Sequence, residues 1–197
     1  DLVFLTGDIA HSGKEAEYQA ASAYFQDLRT QLNKLDKTRW FVVPGNHDVD
    51  RASINPLFVG MRHTIEEGNA ADILREPHTW ETLSTRQKAF LNFTESFLGR
   101  SRGWRAKEPW AVEFVKLGEV TIAVLCLNSA WACQDSEDAG NILLGEYQVR
   151  QALEAARAEG ADLTIALLHH PFTDLKPFDQ KACREILFSP HGSQILL

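Results

Sequence analysis

Short apolar runs alternate with helical periods along this chain, and polar residues with coordinating side chains come directly behind the runs. Leu2 to Thr6 is a β-branched and aromatic run closed by Gly7, the pattern of a buried strand. The period then changes. Ser12 followed by Glu15 reads as a capping box, and Tyr18, Ala21, Phe25, Leu28 and Leu32 recur at helical spacing. A second apolar run, Trp40 to Val43, ends at Pro44 and Gly45. Strand, helix, strand in this order predicts a right-handed crossover between neighbouring parallel strands.

Further on, Ser84 and Gln87 form a second capping-box pattern, opening a helix through Phe90, Phe93, Phe97 and Leu98 that Gly99 and Gly103 end. Around it, residues 49–110 read as loop-like segments carrying Trp80, Trp104 and Trp110, a cap-like insertion between core strands. Ala111 to Leu117 and Val120 to Asn128, joined by Gly118 and Glu119, predict a hairpin. A helix is expected from Glu146 to Ala158 and a buried strand from Leu163 to Leu168, ending at His169, His170 and Pro171. The closing residues HGSQILL read as the start of an amphipathic helix.

A length of 197 residues fits one domain, because a chain of that size buries about 70% of the surface it exposes when unfolded. Both ends have the look of cuts through a longer chain: the sequence opens inside a strand pattern and stops inside a helical one. Apolar runs fall far short of the ~18 residues of a membrane span, and no secretory leader pattern opens the sequence, so the expectation is a cytoplasmic protein without a membrane partner. Cys126, Cys133 and Cys183 show no CxxC spacing and are expected as buried free thiols. A formal charge of -7 does not indicate a nucleic-acid backbone partner, although bound cations could still supply the positive charge a phosphate needs.

Three polar blocks share one position relative to the strands. Gly7-Asp8, Gly45-Asn46-His47-Asp48 and His169-His170 each come directly after a predicted strand, and the carboxyl ends of parallel strands converge on one crevice. Carboxylate oxygen, amide oxygen and imidazole nitrogen are ligands of hard to borderline divalent ions such as manganese, iron or zinc. One carboxylate can bridge two cations, and two cations about 3.5–4 Å apart suit an in-line displacement at phosphorus.

LTGDIA, VVPGNHDVDR and LLHHP, in that order and each behind a strand, resemble three of the five signature blocks of the calcineurin-like metallophosphoesterases. LNSAW and LLGEYQVRQAL further resemble the bacterial branch that includes cyclic-nucleotide phosphodiesterases. The resemblance implies an α/β fold, a β-sandwich flanked by helices and incomplete in this chain. It implies hydrolysis of a phosphodiester or phosphomonoester, with a nucleotide-like substrate favoured, at a centre of two divalent metal ions. By position, Asp8 matches the bridging carboxylate, and Asn46 and His169 match ligands of the second ion. His47 matches the histidine that contacts the substrate phosphate and protonates the leaving oxygen, with Asp48 holding its ring. His169 is preferred to His170 because the family's ligand stands two residues before the proline. Arg51, His170 and His11 remain candidates for substrate contact or for orienting a ligand, with surface roles open for Arg51 and His11. The family's Asp-x-His block before the first of these and its Gly-His-x-His block after the last are absent from the 197 residues, which leaves open a catalytically silent phosphate- or nucleotide-binding module, a portion of a larger regulatory protein with other domains as partners.

Overall fold

The computed structural model describes residues 1–32, 38–53, 56–102, 104, 108–134 and 137–197. Two sheets and seven helices are formed by these residues. β1 (Leu2–Leu5) and β2 (Arg39–Val42) pair in parallel, in register Leu2↔Arg39 to Leu5↔Val42, across α1 (Glu15–Leu32). This is the expected strand, helix, strand unit. The cap of α1 is shifted from the expected one. Glu17, third residue of the helix, reaches back to the Lys14 N–H at 2.9 Å and also accepts from the Ser12 hydroxyl at 2.9 Å.

The second sheet has the order β3, β4, β5, β6. β3 (Trp110–Leu117) and β4 (Val120–Leu127) form the expected antiparallel hairpin, and β5 (Leu163–Leu167) lies parallel to β4. β6 (Ile195–Leu196) is a correction. The terminal residues expected to begin a helix instead pair in parallel with Ile165 and Ala166. The Ser193 and Gln194 side chains hold this run extended by bonding the Thr164 backbone.

Strand β4 shows why both faces of this sheet are covered. Ile122, Val124 and Cys126 point to a core shared with Phe41, Val43 and α1, while Ala123, Leu125 and Leu127 point to a core on the opposite face. The second core is closed by α6 (Glu146–Ala158) through Val149, Ala152, Leu153 and Ala156, and by α7 (Pro177–Leu187) through Cys183 and Leu187. The result is a mixed α/β architecture with two sheets flanked by helices.

Residues 49–110 are not mainly loops. α2 (Pro56–His63), α3 (Ala70–Arg75) and α4 (Pro77–Ser84) enclose their own apolar cluster against Trp131 and Leu143. α5 (Lys88–Leu98) belongs elsewhere: Phe93 and Phe97 join Tyr18 and Phe25 of α1 beside Trp40. The segment is thus split between a satellite cluster and the main core. The expected end of α5 at Gly99 holds, with φ at 88°, whereas Gly103 lies outside the described residues. Cys126, Cys133 and Cys183 are buried and free.

Candidate metal centre

The three polar blocks leave the ends of β1, β2 and β5 and meet. The β1–β2 ladder continues one bond past the strands, Val43 N–H to Leu5 carbonyl at 3.0 Å, so Gly7-Asp8 and Gly45-Asn46 turn away side by side. Gly7 has φ 98°, and a Cβ there would sit 2.6 Å from both the Gly45 nitrogen and His169 Nδ1. Only glycine supplies both that conformation and that clearance. Asp8 itself is held at φ 55°, a region few side chains other than Asn and Asp tolerate.

Three acceptor atoms converge at this meeting point. His169 Nε2 is 3.5 Å from Asp8 Oδ1 and 3.2 Å from Asn46 Oδ1. The other nitrogen, Nδ1, lies 2.6 Å from the Thr6 carbonyl, which can only accept, so Nδ1 carries the proton. In the neutral ring, Nε2 then presents a lone pair to two oxygens. Three lone pairs facing one point repel unless a cation stands among them. The donor set fits a hard or borderline divalent ion. Asp8 and His169 keep 38% and 20% of their side-chain surface accessible, so an ion could reach them. Among the described residues no group of three His, Cys, Asp or Glu side chains gathers to hold a metal; Asn46 supplies the third donor here.

His47 stands next to this group. Its N–H donates to Asp8 Oδ1 at 3.0 Å, tying the two blocks together. Its ring Nδ1 donates to the His11 carbonyl at 2.7 Å, leaving Nε2 for a substrate, and the His11 ring stacks on it at 5.3 Å between centroids. Here the structure corrects the sequence reading. Asp48 does not hold the His47 ring; the His11 carbonyl does. The Asp48 carboxylate is fully buried and turns to the backbone, accepting from Gly45 N–H at 2.8 Å, Ala10 N–H at 3.0 Å and Ile9 N–H at 3.4 Å, and from the Tyr18 hydroxyl at 2.6 Å. Burial raises its carboxyl above the ordinary aspartate range, and those hydrogen bonds oppose the rise. The Tyr18 phenol is pushed far above its usual value by burial and by the neighbouring Asp48 carboxylate.

His170 lies behind the site. Its ring meets that of His169 edge-on at 4.6 Å, its Nδ1 is 2.8 Å from the Ser129 hydroxyl, and its Nε2 is 3.8 Å from Cys133 Sγ. Burial, and then the neighbouring His169, lower its pKa to about 4, so it is neutral and structural in its contacts. Arg51 opens a short 3-10 turn, Arg51–Ser53, half-buried and without a hydrogen bond or ion pair to a described residue. Trp80, Trp104 and Trp131, aromatic side chains of a kind that can stack on a nucleobase, are 1%, 6% and 1% exposed and belong to cores instead.

Sequence reasoning missed Tyr18, Ser129 and the amide network behind the site. Tyr18 carried only a helical-spacing signal. Asn128 Nδ2 donates to Gln87 Oε1 at 2.8 Å, and the Gln148 side chain brackets the Asn128 backbone with bonds of 3.0 and 2.9 Å. Nothing in the spacing of these residues announces the network.

The profile of the calcineurin-like phosphoesterases, Metallophos, matches residues 1–196, and the chain belongs to that family. Members of the family generally use divalent metal ions. Among curated proteins, the chain is similar to the uncharacterized metallophosphoesterase-like protein YydB of Bacillus subtilis strain 168. The two are 28% identical over 182 residues, covering 86% of this chain and 34% of that one. The chain thus spans about a third of the length of this relative. Among solved structures, one described as "Termus thermophilus Sulfate thiohydrolase SoxB in complex with glycerol" is 16% identical, covering 76% of this chain and 29% of that chain at a TM-score of 0.33. No helix among the described residues is long and apolar enough to cross a membrane.

Proposed function

We propose that the protein carrying this chain hydrolyses a phosphoester at a centre of two divalent cations, a nucleotide-like phosphodiester being the favoured substrate. The observation that carries the reading is the convergence of Asp8 Oδ1, Asn46 Oδ1 and His169 Nε2, with His169 Nδ1 committed to the Thr6 carbonyl. Manganese, iron or zinc suits these donors. When bound, such ions polarise a phosphoryl oxygen and lower the pKa of water. Asp8 is the carboxylate able to bridge, having two oxygens; Asn46 and His169 would hold one ion. His47 Nε2 is the nitrogen left to contact the substrate phosphate and to give a proton to the leaving oxygen, its ring fixed through Nδ1 by the His11 carbonyl. Asp48 fixes the loop on which His47 stands. Three donors are too few for two cations, so the reading requires further donors from outside the described residues. The substrate preference rests on the resemblance of LNSAW and LLGEYQVRQAL to the cyclic-nucleotide branch.

That shortage of donors favours one rival, a module that binds phosphate without turnover. The two part in an assay of bis-p-nitrophenyl phosphate hydrolysis by the full protein with manganese, with chelator, and with Asp8→Ala and His47→Ala. Expected is turnover that needs manganese and falls by roughly 100-fold or more in either variant. Turnover surviving chelation or the Asp8 change overturns the dinuclear reading. Phosphate binding without turnover by the full protein favours the module. Residues 1–197 alone are expected to bind manganese weakly and to turn over little or nothing.

A further inference from the structure

The ring of His47 is held by one neighbour. Among the described residues its single hydrogen bond joins Nδ1 to the His11 carbonyl at 2.7 Å, and its single ring contact is the His11 imidazole, 5.3 Å away between centroids and tilted by 25°. A hydrogen bond through one nitrogen anchors one point of the ring and leaves the rest free to pivot about the N–O line. A flat neighbour at stacking distance opposes that pivot, since aromatic pairs attract at centroid separations of about 4.5–7 Å. The backbone and the side chain of His11 thus restrain different motions of the same ring.

The loop that carries His11 is pinned on both sides. Before it, the Ile9 and Ala10 N–H groups donate to the buried Asp48 carboxylate at 3.4 and 3.0 Å. After it, the Ser12 N–H and hydroxyl both donate to Glu17, at 3.0 and 2.9 Å. Gly13 follows at φ 68°, packed so closely that a Cβ there would meet the Asp50 nitrogen at 2.6 Å. His11 reaches His47 through its carbonyl and its ring face, and its ring nitrogens bond no described residue. What the side chain lends His47 is an aromatic surface, and a phenyl ring would lend the same.

We infer that the His11 side chain is a positioning residue for His47: its ring face holds the His47 imidazole in one plane, with Nδ1 on the His11 carbonyl and Nε2 kept for the substrate. The restraint on the ring stands on geometry alone, and its consequence for turnover rests on the phosphoester reading.

Two measurements test this on the full protein, each with His11→Ala and His11→Phe. His11 is exposed, so neither change removes core packing. The first, nitrogen-15 NMR of the chelator-treated protein at a pH where His47 is neutral, needs neither metal nor substrate and reads the ratio of the Nδ1–H to the Nε2–H tautomer of His47. Stacking of this kind shifts a two-state balance by about two- to tenfold. His11→Ala should therefore lower the ratio roughly threefold or more, and His11→Phe should stay closer to the parent than to His11→Ala. A parent in which the Nδ1–H form is the minor one, a smaller fall in His11→Ala, or a phenyl variant no closer to the parent each overturns the inference. The second compares kcat for bis-p-nitrophenyl phosphate and for diphenyl phosphate with manganese, the phenyl leaving group being the stronger base and the more dependent on a proton from His47. His11→Ala should lose more on diphenyl phosphate than on the nitrophenyl ester, and His11→Phe should recover most of that loss. Equal losses on both esters, or a phenyl variant as impaired as the alanine one, would show that His11 does not act through the His47 ring and overturn the inference. If the parent hydrolyses neither ester, the phosphoester reading fails and the tautomer ratio alone decides.

Discussion

Gly45→Ala tests the interlock of the three blocks with a single methyl group. The Gly45 backbone has φ -102° and ψ 179°, an extended conformation open to any residue, so the substitution introduces no backbone strain. What it introduces is a collision. The added Cβ would lie 2.2 Å from Asp8 Oδ1, 2.6 Å from the Asp8 nitrogen and 2.9 Å from His169 Cε1. Relief to van der Waals contact requires the Asp8 carboxylate to retreat by roughly 1 Å. That retreat carries Asp8 Oδ1 out of range of the His47 N–H it now accepts at 3.0 Å. Overpacking of this kind costs about 1–3 kcal/mol, and a hydrogen bond to a charged group contributes about 1.5–3 kcal/mol. Since relieving the first entails losing the second, the two overlap, and a loss of about 2–3 kcal/mol is expected in urea unfolding at neutral pH with chelator present. Manganese affinity, measured by calorimetry on the full protein, should fall roughly tenfold or more, since Asp8 no longer faces His169. Unfolding within about 0.5 kcal/mol of the parent together with parental manganese affinity would refute the interlock.

Other changes probe the supporting structure. Tyr18→Phe removes the 2.6 Å bond to buried Asp48 and should cost about 1.5–3 kcal/mol in urea unfolding; a loss below about 0.5 kcal/mol would deny that bond its importance. Arg62→Ala takes the partner from a buried ion pair whose side chains are 8% and 10% exposed, and should destabilise by about 3–5 kcal/mol in the same measurement, with a surface-like effect near zero counting against it. Asp179 accepts from the Leu144 and Gly145 N–H groups ahead of α6, yet burial raises its carboxyl above the ordinary aspartate value. The folded state therefore holds that proton more tightly than the unfolded one. Its contribution to stability falls as pH rises from about 3.8 through the raised folded value and is level above it. The stability of the parent minus that of Asp179→Asn should accordingly decline as pH rises above about 3.8, and a difference that grows with pH would contradict the direction.

How much of this was legible in the sequence depended on what carried the signal. Strands β1, β2, β4 and β5 stood out because each carries a short apolar run, buried on both faces along most of β2, β4 and β5 and half-buried in β1. α6 was legible because Val149, Ala152, Leu153 and Ala156 keep strict helical spacing. α2, α3 and α4 were not, since each is short, 6–8 residues, and buries its apolar side chains in a satellite cluster whose other wall, Trp131 and Leu143, is far away in sequence. The terminal Ile195 and Leu196 looked helical because a two-residue strand has no period to read; pairing with β5 decided it. At the site, block order and strand ends told where Asp8, Asn46 and His169 would come together. Hydrogen-bond direction was not legible, because which carbonyl His47 faces depends on how the loop at His11 folds back.

Asp48 is the clearest case of such hidden direction. A carboxylate next to a histidine in sequence suggests a dyad, but adjacency along a tight turn sends neighbouring side chains in different directions. Here the turn at Asn46–Asp48 carries His47 towards the crevice and Asp48 into the protein, where it bonds the N–H groups of Ile9 and Ala10, just beyond Asp8, and of Gly45, just before Asn46. One buried carboxylate thereby fixes the spacing of two loops from two strands, and Tyr18 of α1 closes the fourth side. The distance between Asp8 and Asn46 is set from beneath by Asp48, and His169 reaches them from the other sheet. A change at Asp48 should therefore be felt first as lost alignment of the donors above it, with the proton transfer proposed for His47 affected only through that loss.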